Sequence, residues 1–210
     1  MIRVFNFKNS KNKKKLDFVL KRRRSDTNKE EKLVKLILKD IKKNGSKAVI
    51  KYEKKYSKNN EVKPSLKKIN LSIKSLDNKV RDAIDYAYNR IYKFHLKQKI
   101  KNIFYKDSLG NRLEYKHFPI DSIGVYVPTN LPSSVLMNVI PAKIAGVKKI
   151  ILASPKTKGK LDPAVLYAAK KVGVNEILSI GGAQAIGSLA YVQKVNKIVG
   201  PGNIFVAKAK

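Results

Sequence analysis

Two glycine turns are the part of this sequence whose residue types and spacing could do chemistry. Gly181-Gly182-Ala183-Gln184 and Gly200-Pro201-Gly202-Asn203 each follow a short apolar run and precede a helix-like run. At such points an open parallel sheet presents backbone N–H groups to a phosphate or carboxylate. Pro201 suits the start of a helix, and the side chain of Asn203 both donates and accepts hydrogen bonds. The turns predict a ligand site, although the usual dinucleotide fingerprint of three spaced glycines is absent and a glycine pair can also be a plain turn.

The elements that must position these turns begin at Pro119, where the composition shifts. Predicted strands at 123–127, 149–153, 176–180 and 197–199 alternate with predicted helices at 133–145, 163–172 and 183–192, and a last helix starts at Pro201. Short strands separated by helices of this length predict right-handed βαβ crossovers and a parallel sheet. Ligands of such sheets bind at the carboxyl ends of the strands, so the loop that begins with Pro128 is a third candidate position.

The sequence before Pro119 has a different rhythm. Residues 8–15 form a lysine run that predicts a solvated arm, and residues 27–30 have the spacing of a capping box. A helix with an apolar face should follow, stop at Asn44-Gly45 and continue as a second helix over 46–56. Residues 64–75 carry a short apolar alternation, Asp77 caps a helix to about residue 99, and Leu109-Gly110-Asn111 connects a hairpin.

These elements together predict an α/β protein. A helical N-terminal region plus hairpin, part of an incomplete first domain, occupies residues 1–118. An incomplete Rossmann-like parallel βαβ sheet domain occupies residues 119–210 and is cut off at its C-terminal end.

Composition bounds the function classes. The formal net charge is +32, but the excess is almost all lysine, spread along the chain and mixed with Asn, Ile and Tyr. That pattern is more typical of codon usage in an A+T-rich genome than of a selected phosphate-binding stripe, so a basic nucleic-acid-binding protein is only an alternative. No apolar run is long enough to span a membrane, and no signal peptide is predicted. The absence of cysteine excludes disulfides and thiolate zinc ligands, and is compatible with the expected cytoplasmic location.

Five blocks of the second half occur in a definite order. They are Ile123-Gly124-Val125-Tyr126-Val127-Pro128, Ser133-Ser134-Val135-Leu136-Met137, Ile140-Pro141-Ala142-Lys143-Ile144-Ala145-Gly146-Val147, Gly181-Gly182-Ala183-Gln184-Ala185-Ile186 and Val199-Gly200-Pro201-Gly202-Asn203. Together they resemble the histidinol dehydrogenase family. Arg22-Arg23-Arg24, Ala87-Tyr88-Asn89-Arg90-Ile91 and Phe94-His95-Leu96-Lys97-Gln98 resemble the opening region of the same family.

The resemblance implies an NAD-dependent, zinc-containing homodimer. Such an enzyme oxidises L-histidinol to L-histidine through the aldehyde, with two NAD, in the last step of histidine biosynthesis. Tyr126, Gln184 and Asn203 match the positions of the family's NAD contacts. The resemblance covers about the first half of the family's length, and the family's glutamate–histidine acid/base pair and its zinc ligands lie beyond that half. A partial sequence without catalytic or metal-ligating residues is therefore expected, with no specific nucleic-acid partner and no membrane.

The sequence departs from the family pattern in two loops. Thr129-Asn130-Leu131-Pro132 replaces a longer loop that begins with a glycine pair, and a Gly-Thr-Glu turn is missing after Tyr191. Both departures lie near the expected cofactor region, so a noncatalytic NAD-binding remnant is an alternative to the enzyme. His95 and His117 have no second ligand at metal-binding spacing and are expected to be structural or exposed.

Overall fold

A computed structural model describes residues 10–23 and 28–210. The N-terminal part is helical: α1 Ser10–Arg23, α2 Asn28–Ser57, α3 Leu66–Lys74 and α4 Asn78–Lys97. An antiparallel hairpin follows, with β1 Ile103–Lys106 paired to β2 Arg112–Tyr115. The α/β part consists of β3 Ser122–Tyr126, α5 Pro132–Ile144, β4 Lys149–Ala153, α6 Pro163–Lys171, β5 Glu176–Leu178, α7 Gly182–Gly187, a π-helical turn Ser188–Val192, β6 Lys197–Val199 and α8 Ile204–Ala209.

The predicted parallel sheet is confirmed. Within the described residues its strand order is β5-β4-β3-β6, and all neighbouring strands are parallel. From β3 the chain moves outward to β4 and then β5, and then returns to place β6 on the other side of β3. All five residues of β3 are buried, as expected for a strand covered on both faces.

Helices cover both faces of this sheet. On one face α2, α7 and α8 pack against Tyr126, Ile151 and Leu178. On the other face α5 and α6, with Ile84 of α4, pack against Val125 and Leu152. The N-terminal helices are therefore not a separate layer, because α2 supplies much of the cover for one face of the α/β sheet.

Several local predictions need correction. Residues 10–15 of the predicted lysine arm belong to α1, whereas residues 8 and 9, like Thr27 of the predicted capping box, lie outside the described residues. The alternation at 64–75 is the helix α3, capped by Ser65, which buries Ile69 and Ile73 four positions apart. Burial of one helical face outweighs the alternating pattern in this segment.

The predicted stop at Gly45 is confirmed as a break inside α2. Gly45 has φ 57° and ψ −136°, a conformation that glycine adopts without a Cβ penalty. Asp40 precedes the break and connects its two sides. Its Oδ2 accepts hydrogen bonds from Lys51 Nζ and Tyr52 OH, both at 2.8 Å, and its Oδ1 accepts one from Asn44 Nδ2 at 2.6 Å.

We expect the contribution of Asp40 to stability to depend on pH. The hydrogen bond from Lys51, followed by those from Asn44 and Tyr52, lowers the pKa of Asp40 from 3.8 to about 2. A lowered pKa stabilises the fold above the unfolded value of 3.8, and this contribution is lost as the pH falls through about 2. Asp40→Asn should therefore lower the melting temperature at pH 6, and its difference from the wild type should shrink below pH 4. Asp82→Asn, an exposed position on α4, is the control; a pH-independent difference for Asp40→Asn would contradict the assignment.

Candidate functional site

The carboxyl edge of the parallel sheet brings the predicted site residues to one side of the molecule. β3 ends at Tyr126, Gly181 and Gly182 follow β5, and Gly200 follows β6 directly. The order of the strands reverses beside β3. The chain runs outward to β4 and β5 with α5 and α6 on one face, and returns to β6 with α7 on the other face. A crevice at such a switch point, outside the carboxyl ends of the strands, is where open α/β sheets bind ligands.

Tyr126 is held at this switch point in the core. Its side chain is buried, with the phenol oxygen near the backbone N–H of Gly182. Burial raises the pKa of the Tyr126 phenol and the negative charge of Glu53 adds to the rise, whereas the backbone N–H of Gly182 opposes it. The phenol therefore stays protonated at neutral pH and keeps one O–H to donate.

Gln184 is also buried, one turn into α7. Its Nε2 donates to Glu53 Oε1 at 2.9 Å, and the backbone N–H of Gly181 donates to the same oxygen at 2.8 Å. The sequence predicts that the amides of this turn are presented to a ligand, and the structure corrects that expectation for Gly181. Its N–H is bonded to Glu53, so this amide already has a partner within the protein.

Sequence reasoning did not find Glu53. It lies on the second half of α2 with 1% of its surface exposed. A signal was available, because Glu53 follows the buried Val49 by four positions and so falls on the apolar face of the helix. A carboxylate on such a face is unusual unless hydrogen-bond donors meet it.

Asn203 occupies the second turn and is exposed. It is the N-cap of α8, and its Oδ1 accepts a hydrogen bond from Val206 N at 3.2 Å. The expected helix start at Pro201 is wrong: α8 begins at Ile204, because the amide oxygen of Asn203 supplies the cap that fixes the first turn. Gly200, with φ 109°, brings this turn against the backbone of Tyr126.

One further buried polar group lies at the carboxyl edge of the sheet, the hydroxyl of Ser154. Ser154 follows β4 directly, and its fully buried hydroxyl has no hydrogen-bond partner.

Of the two loops that depart from the family pattern, the one after Pro128 follows β3 at this edge and turns at Asn130 (φ 61°). The one after Tyr191 turns at Lys194 (φ 51°) and leads into β6 at the opposite end of the strands, where Asn196 Oδ1 accepts from Ser122 N at 3.0 Å. Only the first of these two loops therefore lies at the carboxyl edge.

The two histidines lie on other elements. His95 Nδ1 is 2.6 Å from Gln98 Oε1 at the end of α4, and the ring of His117 packs edge-on against Tyr115 of the hairpin. Among residues 10–23 and 28–210, no three His, Cys, Asp or Glu side chains come together as a metal site would require. The same residues include no helix long and apolar enough to cross a membrane.

The strand order and the helices on both faces define an α/β protein of the doubly wound type. A family model described as histidinol dehydrogenase matches residues 20–210. Histidinol dehydrogenase of Pelagibacter ubique is 52% identical over 217 aligned residues, which cover all of this chain and 51% of that protein. The enzyme of Aquifex aeolicus is 42% identical, over 93% of this chain and 47% of the relative.

A solved structure agrees with these sequence comparisons. The crystal structure of histidinol dehydrogenase from Elizabethkingia anophelis matches 85% of this chain and 44% of that chain, with a TM-score of 0.79 and 35% identity. The chain therefore belongs to the histidinol dehydrogenase family, a family of oxidoreductases, which confirms the resemblance. It spans about half the length of the curated relatives that it matches.

We expect Gly200 to tolerate no side chain. A Cβ at this position would collide with the carbonyl group of Tyr126, in addition to the strain of its positive φ. Gly173→Ala is the matched control, since Gly173 has φ 70° but meets only the flexible end of Lys143, at 3.7 Å. In urea denaturation Gly173→Ala should cost about 1–2 kcal/mol, the usual penalty of a left-handed residue. Gly200→Ala should cost clearly more, and equal losses would contradict the close approach.

Proposed function

We propose that this chain forms the NAD-binding side of a histidinol dehydrogenase. Membership of the family supports the proposal, as does the position of Tyr126 and Asn203 at the carboxyl ends of the neighbouring strands β3 and β6. The observation that carries it is this pairing at the switch point of the sheet, where a cofactor can lie across two strand ends. Tyr126, Gln184 and Asn203 would be its contacts.

The residues at this edge fit part of a dinucleotide. Asn203 is exposed, and because its Oδ1 is used in the cap, its Nδ2 is the atom left to donate to a ligand. The unpartnered hydroxyl of Ser154 is a further polar group at the end of β4. The amide of Gly181 does not fit a phosphate, because Glu53 already accepts from it and the carboxylate would repel an anion. We therefore assign the diphosphate to the turn at Gly200–Asn203 and not to the glycine pair.

The whole reaction would be the oxidation of L-histidinol to L-histidine through the aldehyde, in the last step of histidine biosynthesis. NAD, when bound, supplies the acceptor for each of the two hydrides. The residues of this chain would orient the cofactor. Asn203 would donate a hydrogen bond to it, and Tyr126 would fix the end of β3 beside it. We place the catalytic acid–base pair and the zinc ligands in the part of the family's length that this chain does not span, and we propose a cytoplasmic homodimer as the working form.

We further propose that the chain has two parts that meet at Pro119: the helical region with its hairpin, and the NAD-binding part. Because α2 packs on the sheet, the two parts share one core and should unfold together. The shortened loop that turns at Asn130, at the end of β3, favours one second candidate, a noncatalytic NAD-binding module. Binding of NAD without turnover, even in a protein that spans the full family length, would favour that candidate.

Substitution of Asn203 tests the NAD site. Asn203→Ser keeps a good N-cap for α8 but removes the Nδ2 donor, so the fold should persist while NAD binds less tightly. Loss of one hydrogen bond of about 1 kcal/mol predicts a dissociation constant raised about fivefold, measured by calorimetric titration of the purified chain.

Asp77→Ser is the matched control, because Asp77 caps α4 through Lys79 N at 2.7 Å and lies far along the chain from the proposed site. It should leave NAD affinity unchanged. An Asn203→Ser variant that binds NAD as tightly as the wild type would remove Asn203 from the site, and a wild-type chain with no saturable NAD binding would reject the proposed function of the isolated chain.

A further inference from the structure

Three N–H donors converge on the buried carboxylate of Glu53. Its Oε1 accepts from Gly181 N and from Gln184 Nε2, and its Oε2 accepts a longer hydrogen bond from Asn59 Nδ2 at 3.4 Å. Lys156 is joined to this group indirectly, since its Nζ donates to Asn59 Oδ1 at 2.9 Å. A buried carboxylate without such donors would be strongly unfavourable, so its position and theirs depend on each other.

The same network connects α2 to the exit of β5. Asn59 Nδ2 donates to the carbonyl oxygen of Ser179 at 2.6 Å, two residues before Gly181. Glu53 and Asn59 therefore hold both sides of the bend that leads from β5 into α7. Residues distant in sequence, on α2 and after β4, set the backbone of the glycine turn.

Glu53 also decides which way the amide of Gln184 points. A carboxylate offers lone pairs and no donor, so the Gln184 atom that faces it must be Nε2. The Oε1 of Gln184 then lies beside Gly182, where it can accept a hydrogen bond from a ligand. A phosphate, which itself accepts hydrogen bonds, finds no donor in Gln184 Oε1, and the charge of Glu53 repels it.

We propose that Glu53 is a positioning residue that makes Gln184 a hydrogen-bond acceptor, so that the ligand group taken at Gln184 is a hydroxyl or N–H donor and not a phosphate. The ligand part of this inference rests on the proposed NAD site. The positioning of the turn by Glu53 does not, because every contact that defines it lies within the protein.

Glu53→Met keeps a side chain of similar length but removes both acceptor oxygens. The Gly181 N–H and the Gln184 NH₂ then both lose their acceptor. We expect hydrogen exchange of the Gly181 amide to rise about tenfold in the NAD-free chain and the NAD dissociation constant to rise by a similar factor. Asp40→Asn is the matched control: Asp40 lies on the same helix and accepts three hydrogen bonds, none from the turn.

A measurement on the wild-type chain keeps the test independent of how well the variant folds. In NMR spectra the side-chain NH₂ of Gln184 should exchange slowly with water. Inorganic phosphate at millimolar concentration should leave the amide resonance of Gly181 unshifted. Fast exchange of the Gln184 NH₂, saturable phosphate shifts at Gly181, or unchanged Gly181 exchange in Glu53→Met would each overturn the proposal. A chain that binds no NAD yet shows the expected exchange pattern would reject the proposed function and leave the positioning role intact.

Discussion

The hydrogen bonds of the buried Glu53 carboxylate are the constraint on which the arrangement of the α/β part depends. They join the helix α2 to the turn that leads from β5 into α7. The apolar residues around them, including Val49 and Ile186, would allow α2 to slide on the sheet, because apolar packing is weakly directional. A single buried carboxylate with three converging donors permits one position only, and so sets the register between helix and turn.

The position of β3 carries this constraint to the ligand edge. β3 is buried on both faces and pairs with β4 on one side and β6 on the other. Tyr126 at its end lies against Gly200 and has its phenol oxygen near the backbone N–H of Gly182, so the two glycine turns meet beside one residue. The turns differ in role: Glu53 takes up the Gly181 amide of one, whereas the other leaves Asn203 exposed at the start of α8.

The high positive charge has little part in this site. Most charged contacts among the described residues are exposed lysine pairs such as Lys35–Glu31 and Lys68–Glu61, which contribute little to stability in solvent. Lys156 differs, with 13% of its side chain exposed and its Nζ bonded to Asn59. The hairpin differs from the buried strands of the sheet. Every residue of β1 and β2 is exposed, although both strands carry aromatic side chains.

The sequence by itself determined the order of strands and helices from Pro119 onward, the break at Gly45 and the cap at Asp77. Periodicity, glycine conformation and capping are local properties, and each is readable from a few neighbouring residues. The family could also be identified from five local blocks. The sequence placed Tyr126, Gln184 and Asn203 at the ends of elements, but it could not say which of their polar atoms remain available to a ligand.

That question was decided by tertiary structure alone. Glu53 is 128 positions from Gly181 in sequence, and only the packing of α2 on the sheet brings its carboxylate to the turn. The packing of α3 against α6 made a helix of the alternating residues around Ile69. The packing of α2 closed the Gly181 amide, which the glycine pair was expected to offer to a ligand. Hydrogen-bond satisfaction in a core depends on contacts between distant segments, so local sequence patterns predict where a polar group lies and not what it binds.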